Sequence, residues 1–125
     1  MLENKTAAAT IAVKDIDAAK KFYEGKLGLK PEASEESEVL EFKSGDTPIF
    51  VYKSQFAGTN KATAATWVVD DDIKEVVKAL KEKGITFEHY DFPDMKLEGD
   101  LHVSGNMKAA WFKDPDGNIL ALVGK

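Results

Sequence analysis

A chain of 125 residues is sized for one domain, and at that length folding buries roughly two thirds of the surface exposed in the unfolded chain, so no covalent staple is needed. There is no cysteine, which excludes disulfides, thiolate metal sites and cysteine nucleophiles and agrees with a reducing, cytoplasmic setting. A formal charge of -5 disfavours nucleic acid as a partner, and no apolar run approaches the roughly 20 residues that span a bilayer. The start, Met1 to Lys5, has no basic segment followed by an apolar one, so no leader is expected.

In chain order, Ala7 to Val13 is a small, apolar run ending at Lys14-Asp15, and it reads as a buried strand. Asp15 is placed to cap a helix whose apolar face is Ile16, Ala19, Phe22, Tyr23 and Leu27, with Gly28 ending it in a left-handed turn. A weak strand near Leu29 to Glu32 follows, then strands over Val39 to Phe42 and Ile49 to Tyr52, separated by the turn formers Ser44-Gly45-Asp46-Thr47-Pro48. After a polar crossover, Ser54 to Lys61, the order repeats. Ala64 to Val69 is a strand, and Asp72 with Glu75 forms a capping-box pattern for a helix carrying Ile73, Val76, Val77 and Leu80. Strands are expected over Ile85 to Glu88, Lys108 to Phe112 and Ile119 to Val123, the last two joined by Asp114-Pro115-Asp116-Gly117-Asn118.

The halves superpose at an offset of 57, Ala8 on Ala65, Asp15 on Asp72 and Ile16 on Ile73. One domain over residues 1–125 is expected, built from module one at about 5–53 and module two at about 62–125.

Ile11-Ala12-Val13-Lys14-Asp15-Ile16-Asp17, followed by Phe22-Tyr23 and Leu27-Gly28, resembles the opening strand and helix of the vicinal oxygen chelate superfamily. Its members include glyoxalases, bleomycin-resistance proteins and extradiol dioxygenases. Trp111 to Asn118 resembles the closing hairpin of the same superfamily. The resemblance implies an α+β fold: two βαβββ modules forming a curved mixed sheet with helices on its convex face. It also implies four metal-ligand positions, which fall on Ala8, Ala65, Ala121 and Phe50, or Val51 if the register slips by one. None of these side chains carries a metal donor, so neither metal nor other cofactor is expected.

Strand alternation then selects the cavity wall. If Ala8 faces the concave side, so do Thr10 and Ala12, and the same parity sends Ala65, Trp67 and Val69 inward from the fifth strand. Phe50 and Tyr52 join them from module one, and Trp111 and Ala109 from module two. Asp91 to Gly105 reads as an irregular, lid-like stretch that brings His102 as a further ligand contact. His89 is given no role. Asp70-Asp71-Asp72 lacks the spacing of a calcium loop and is taken as a solvated cap.

Three readings follow. The first is a non-catalytic, homodimeric binding protein of the glyoxalase/bleomycin-resistance family, holding a planar aromatic or cationic small molecule among Thr10, Phe50, Tyr52, Trp67, Trp111 and His102. The second is an enzyme of the same superfamily: a metal-dependent lyase or dioxygenase, or a metal-free isomerase with His102 or Glu41 as base. The third is a structural subunit with a vestigial cavity.

Overall fold

A computed structural model describes residues 1–32 and 38–125, so the part of module one at 33–37 lies outside the described residues. Strand β1 (Ala9–Val13) leads into helix α1 (Ile16–Lys20), which continues as a wider, π-helical stretch over Lys21–Lys26. The Asp15 carboxylate caps α1 as expected, accepting from the backbone N–H groups of Asp17 and Ala18 at 2.9 and 3.2 Å. In the π-helical stretch the consecutive rings of Phe22 and Tyr23 are both buried, and Gly28 follows with φ of 73°. Then come β2 (Lys30–Glu32), β3 (Val39–Ser44) and β4 (Thr47–Lys53).

The second half runs β5 (Thr63–Asp70), α2 (Ile73–Glu82), β6 (Phe87–Glu88), β7 (Lys96–Glu98), β8 (Leu101–Ser104), β9 (Met107–Lys113) and β10 (Ile119–Gly124). Two expectations fail here. Asp72 makes no side-chain cap bond, because its backbone (φ -86°, ψ 3°) is not the extended one a capping carboxylate needs. The supposedly irregular Asp91 to Gly105 contains the β7–β8 hairpin and places His102 on a strand. The overlooked signals are Gly99-Asp100 and Gly105-Asn106, two-residue loops whose glycines have φ of 64° and 60°, as a type II′ turn requires at its first central residue.

The fold is α+β as expected, and the described strands form two mixed sheets. The first has the order β1-β4-β3-β2; the second has the order β5-β10-β9-β8-β7, with β6 sharing the β9 edge. β1 pairs with β4, and β5 with β10, in parallel, whereas the other pairs are antiparallel. One face of each sheet enters a shared core: Ile11, Val13, Phe42, Ile49 and Val51 from the first, Ala110, Phe112, Leu120 and Leu122 from the second. α1 and its continuation add Ala19, Phe22 and Tyr23, and the amphipathic α2 adds Ile73, Val77 and Leu80.

A buried carboxylate joins the halves. Asp114, in the β9–β10 turn, accepts from the Tyr23 hydroxyl at 2.7 Å and from Asn118 Nδ2 at 2.8 Å through one oxygen. Its other oxygen accepts from the backbone N–H groups of Asp116 at 2.9 Å and Asn118 at 2.8 Å. Asn118 Nδ2 also donates to the Ala12 carbonyl at 2.7 Å, tying the turn to β1. Burial, and then the negative charge of Asp114, push the Tyr23 phenol well above the ordinary tyrosine range.

Because its folded-state pKa is raised, Tyr23 contributes stability in full below the unfolded value of about 10. That contribution is lost as pH climbs beyond it. The wild-type urea midpoint is therefore expected to fall more steeply above pH ~10 than that of Tyr23→Phe, while at neutral pH the variant is less stable by about 1 to 3 kcal/mol. Parallel pH profiles for the two proteins would contradict this account.

Candidate functional site

The site is built on the face of the second sheet that turns away from the core. Cross-strand pairing fixes which residues share it: Thr66, Ala121 and Trp111 form one row, and Val68, Val123, Ala109, His102 and Leu97 the next. The side chains of Ala65, Trp67, Leu120, Leu122, Ala110 and Phe112 alternate to the core side.

Trp67 is thus on the opposite face of β5 from the one expected. It packs against the core, donates from Nε1 to Ser44 Oγ at 2.8 Å, and lines a small cavity of about 140 Å³ with Leu27, Val76, Leu80, Phe112 and Leu122. The cause is a single extra residue. The helix starts align at 57 residues, Asp15 with Asp72, but the core-facing strand residues align at 56, Ile11 with Trp67 and Val13 with Val69. The surplus is taken up at Asp70, a non-glycine residue with φ of 48°, where the β5–β10 register also shifts. Gly124 makes room for it, since a Cβ there would collide with the Asp70 carbonyl. A one-residue slip reverses every side chain of a strand.

Trp111 does stand on the outer face. Its ring packs on Tyr90, Phe92 and His102, with centroids 5.6, 5.4 and 4.8 Å away, and its Nε1 donates to Thr63 Oγ1 at 3.2 Å. These four rings lie outside the main apolar core. Beside them opens a cleft of about 550 Å³ lined by Lys61, Ala62, Thr63, Tyr90, Asp91, Phe92, Trp111 and Ile119. His102 lies beneath the rings, 1% exposed, with Nε2 accepting from the Tyr90 backbone N–H at 2.9 Å. Its Nδ1 and the Tyr90 hydroxyl are buried without a hydrogen-bond partner among the described residues.

Thr10, Phe50 and Tyr52 share the corresponding outer face of the first sheet, with Thr10 opposite Phe50 and Ala12 opposite Tyr52, but none lines the Trp111 cleft. Sequence reasoning named Trp111 and His102 and missed Tyr90, Phe92, Thr63 and Lys61. The Tyr90-Asp91-Phe92 triplet offered a signal, two aromatics at the spacing that shares one side of an extended chain.

The metal positions implied by the resemblance do not fit a metal. Ala8, Phe50 and Ala121 carry no donor atom, and on β5 both Ala64 and Ala65 are alanines, so the slip changes nothing. Among the described residues no three histidine, aspartate or glutamate side chains come together as a ligand set.

The segment carrying Tyr90 and Phe92 is pinned at both ends. Asp100 accepts from Lys81 of α2 at 2.7 Å and pairs with His89 Nε2 at 2.8 Å, closing the stretch between β6 and β8. The hydrogen bonds from Lys81 and then His89 hold the Asp100 carboxyl below the usual carboxylate range. A depressed folded-state pKa contributes stability above the unfolded value of about 4, and that stability is lost as pH falls through the folded one. Asp100→Asn should therefore cost under about 1 kcal/mol at neutral pH, since both partners are half exposed, and nothing at pH ~2. Urea unfolding at the two pH values checks it, and a difference that persists in acid would refute the ionic origin.

Residues 5–122 match the family described as Glyoxalase/Bleomycin resistance protein/Dioxygenase superfamily. Among solved structures, lactoylglutathione lyase from Agrobacterium tumefaciens superposes with a TM-score of 0.72 at 18% identity, covering 99% of this chain and 96% of that one. TnmS3, an antibiotic binding protein from Streptomyces sp. CB03234, gives 0.71 at 21% identity, covering 99% and 98%. Fosfomycin resistance protein FosX from Mesorhizobium loti gives 0.70 at 15% identity, covering 100% and 94%. At these identities the likeness concerns the fold alone. No curated protein matches the chain. The match over residues 5–122, together with the paired modules, places the chain in the Glyoxalase/Bleomycin resistance protein/Dioxygenase superfamily.

Proposed function

We propose that this protein is a non-catalytic binding module that holds a planar aromatic or cationic small molecule in the cleft walled by Trp111, Tyr90 and Phe92. The observation that carries the reading is that these rings form an open concavity while contributing nothing to the main core. Aromatic walls bury large area on a flat guest at small rotamer cost. Thr63 and Lys61 add polar groups to its lining, and Asp91 adds a carboxylate. The binding of an antibiotic by a relative of the same fold, TnmS3, agrees with such a use of the scaffold. The alanines at the implied ligand positions weigh against the metal-dependent lyase or dioxygenase alternative.

We further propose a homodimer. Val68, Met107 and Leu97, all substantially exposed, share the outer face of the second sheet, and a second copy would cover them. Sedimentation at micromolar concentration should give the dimer mass; a monomer would overturn the proposal. No helix among the described residues is long and apolar enough to cross a membrane.

Naphthalene serves as a first planar probe. Trp111→Ala should weaken its binding by about 1 to 3 kcal/mol, the range for loss of an aromatic anchor. Trp67→Phe should leave binding unchanged and lower the urea midpoint, because Trp67 packs on the core. Calorimetric titration of both variants decides it: equal losses, or no binding by the wild type, would defeat the cleft assignment.

A further inference from the structure

We propose that Phe92 is an intramolecular placeholder in this cleft, and that the natural guest is a planar molecule bearing a hydrogen-bond acceptor on its ring edge, which displaces Phe92 and receives the His102 Nδ1–H. The inference rests on the binding reading above and narrows its ligand class from aromatic or cationic to acceptor-bearing.

The tautomer follows from the fold. The backbone N–H of Tyr90 can only donate, so His102 Nε2 must present its lone pair at the 2.9 Å contact. The ring proton therefore sits on Nδ1, which becomes a donor with no acceptor among the described residues, on a side chain 1% exposed. Buried donors are nearly always satisfied, and one left open is costly. The Tyr90 hydroxyl is buried and open in the same cluster. The rings of Tyr90, Phe92 and Trp111 pack around the imidazole, with centroids 6.0, 5.8 and 4.8 Å from its own. A cation would meet an N–H dipole pointing the wrong way.

Phe92 is the wall most easily moved. Its ring lies 5.8 Å from that of His102 and 5.4 Å from that of Trp111, yet it is 39% exposed and sits on the irregular stretch between β6 and β7. Tyr90, in contrast, is fastened by its backbone bond to His102, and Trp111 stands on a central strand. A flat guest replacing the Phe92 phenyl keeps the aromatic packing and adds the missing acceptor.

Three probes of nearly equal shape separate the possibilities: naphthalene without an acceptor, quinoline with a ring-nitrogen lone pair, and N-methylquinolinium as a cation. Titrated by calorimetry near pH 7.5, quinoline should bind wild-type protein about tenfold tighter than naphthalene, the size of one net buried hydrogen bond. N-methylquinolinium should bind no tighter than naphthalene. On quinoline addition the His102 Nδ1–H resonance should move downfield, and naphthalene should leave it in place. His102→Phe should erase the quinoline preference, bringing quinoline and naphthalene to equal affinity; a preference that survives removes His102 from the site. Phe92→Ala should tighten all three probes about tenfold by removing the competitor. Unchanged or weaker binding makes Phe92 a fixed wall and overturns the placeholder. Equal affinity for naphthalene and quinoline, or tightest binding of N-methylquinolinium, overturns the acceptor inference while leaving the cleft reading intact. If no probe binds, both fall. Should His102→Phe fail to fold, the wild-type ratio and the Nδ1–H resonance decide alone.

Discussion

The arrangement of the two modules depends on one buried carboxylate. Asp114 is almost wholly shielded from water, and an ionised group there is tolerable only because its oxygens accept four hydrogen bonds. Two of those bonds shape the β9–β10 turn, one engages the amide of Asn118, and one reaches from Tyr23 in the first module. Asn118 then carries the connection to the Ala12 carbonyl at the end of β1. Removing one donor leaves the charge under-satisfied, so the geometry of both modules near this point is set together. The position of β9, and with it Trp111, follows from the same network.

The architecture was legible because local signals agreed with one another. Helix-period patterns at Ile16 to Leu27 and Ile73 to Leu80, turn formers at Ser44 to Pro48 and Asp114 to Asn118, and the repeated element order all pointed to paired βαβββ modules. The site was only half legible. Trp111 could be aimed by counting back from the Asp-Pro-Asp-Gly turn, since nothing irregular intervenes on β9. Trp67 could not be aimed by counting back from Asp72, because Asp70 absorbs a residue in a left-handed conformation that the triple aspartate does not advertise. Alternation is reliable only along an unbroken ladder, and β5 is interrupted twice, near Ala64 and near Val69.

The lid-like segment shows a second limit. Its strands are three and four residues long, below the length at which alternation outweighs turn chemistry, and Gly99 and Gly105 carry the decisive information. Reading that stretch as irregular hid the fact that His102 belongs to a strand beside β9. Once on β8, its ring stands opposite Ala109 and is brought under Trp111. The small side chain at 109 matters here, because a larger one would compete with the imidazole for the same space.

Separation of the core from the aromatic cluster has an energetic consequence. Phe22, Tyr23, Phe42, Phe87 and Phe112 hold the two sheets and helices together, while Tyr90, Phe92, His102 and Trp111 lie on the other side of the second sheet. Rearranging the outer rings therefore costs contacts within their own group and leaves the inner ones in place. A side chain such as Phe92 can exchange with a guest only under that condition, since the same exchange inside the core would open a cavity worth several kcal/mol. The open donor on His102 gives the exchange a direction. Phe92 cannot accept its proton, so the closed state carries an unsatisfied group that an acceptor-bearing guest removes. The strand that buries the imidazole, the backbone bond that fixes its tautomer and the exposed ring that covers it thus bias one small element toward a particular chemistry of ligand.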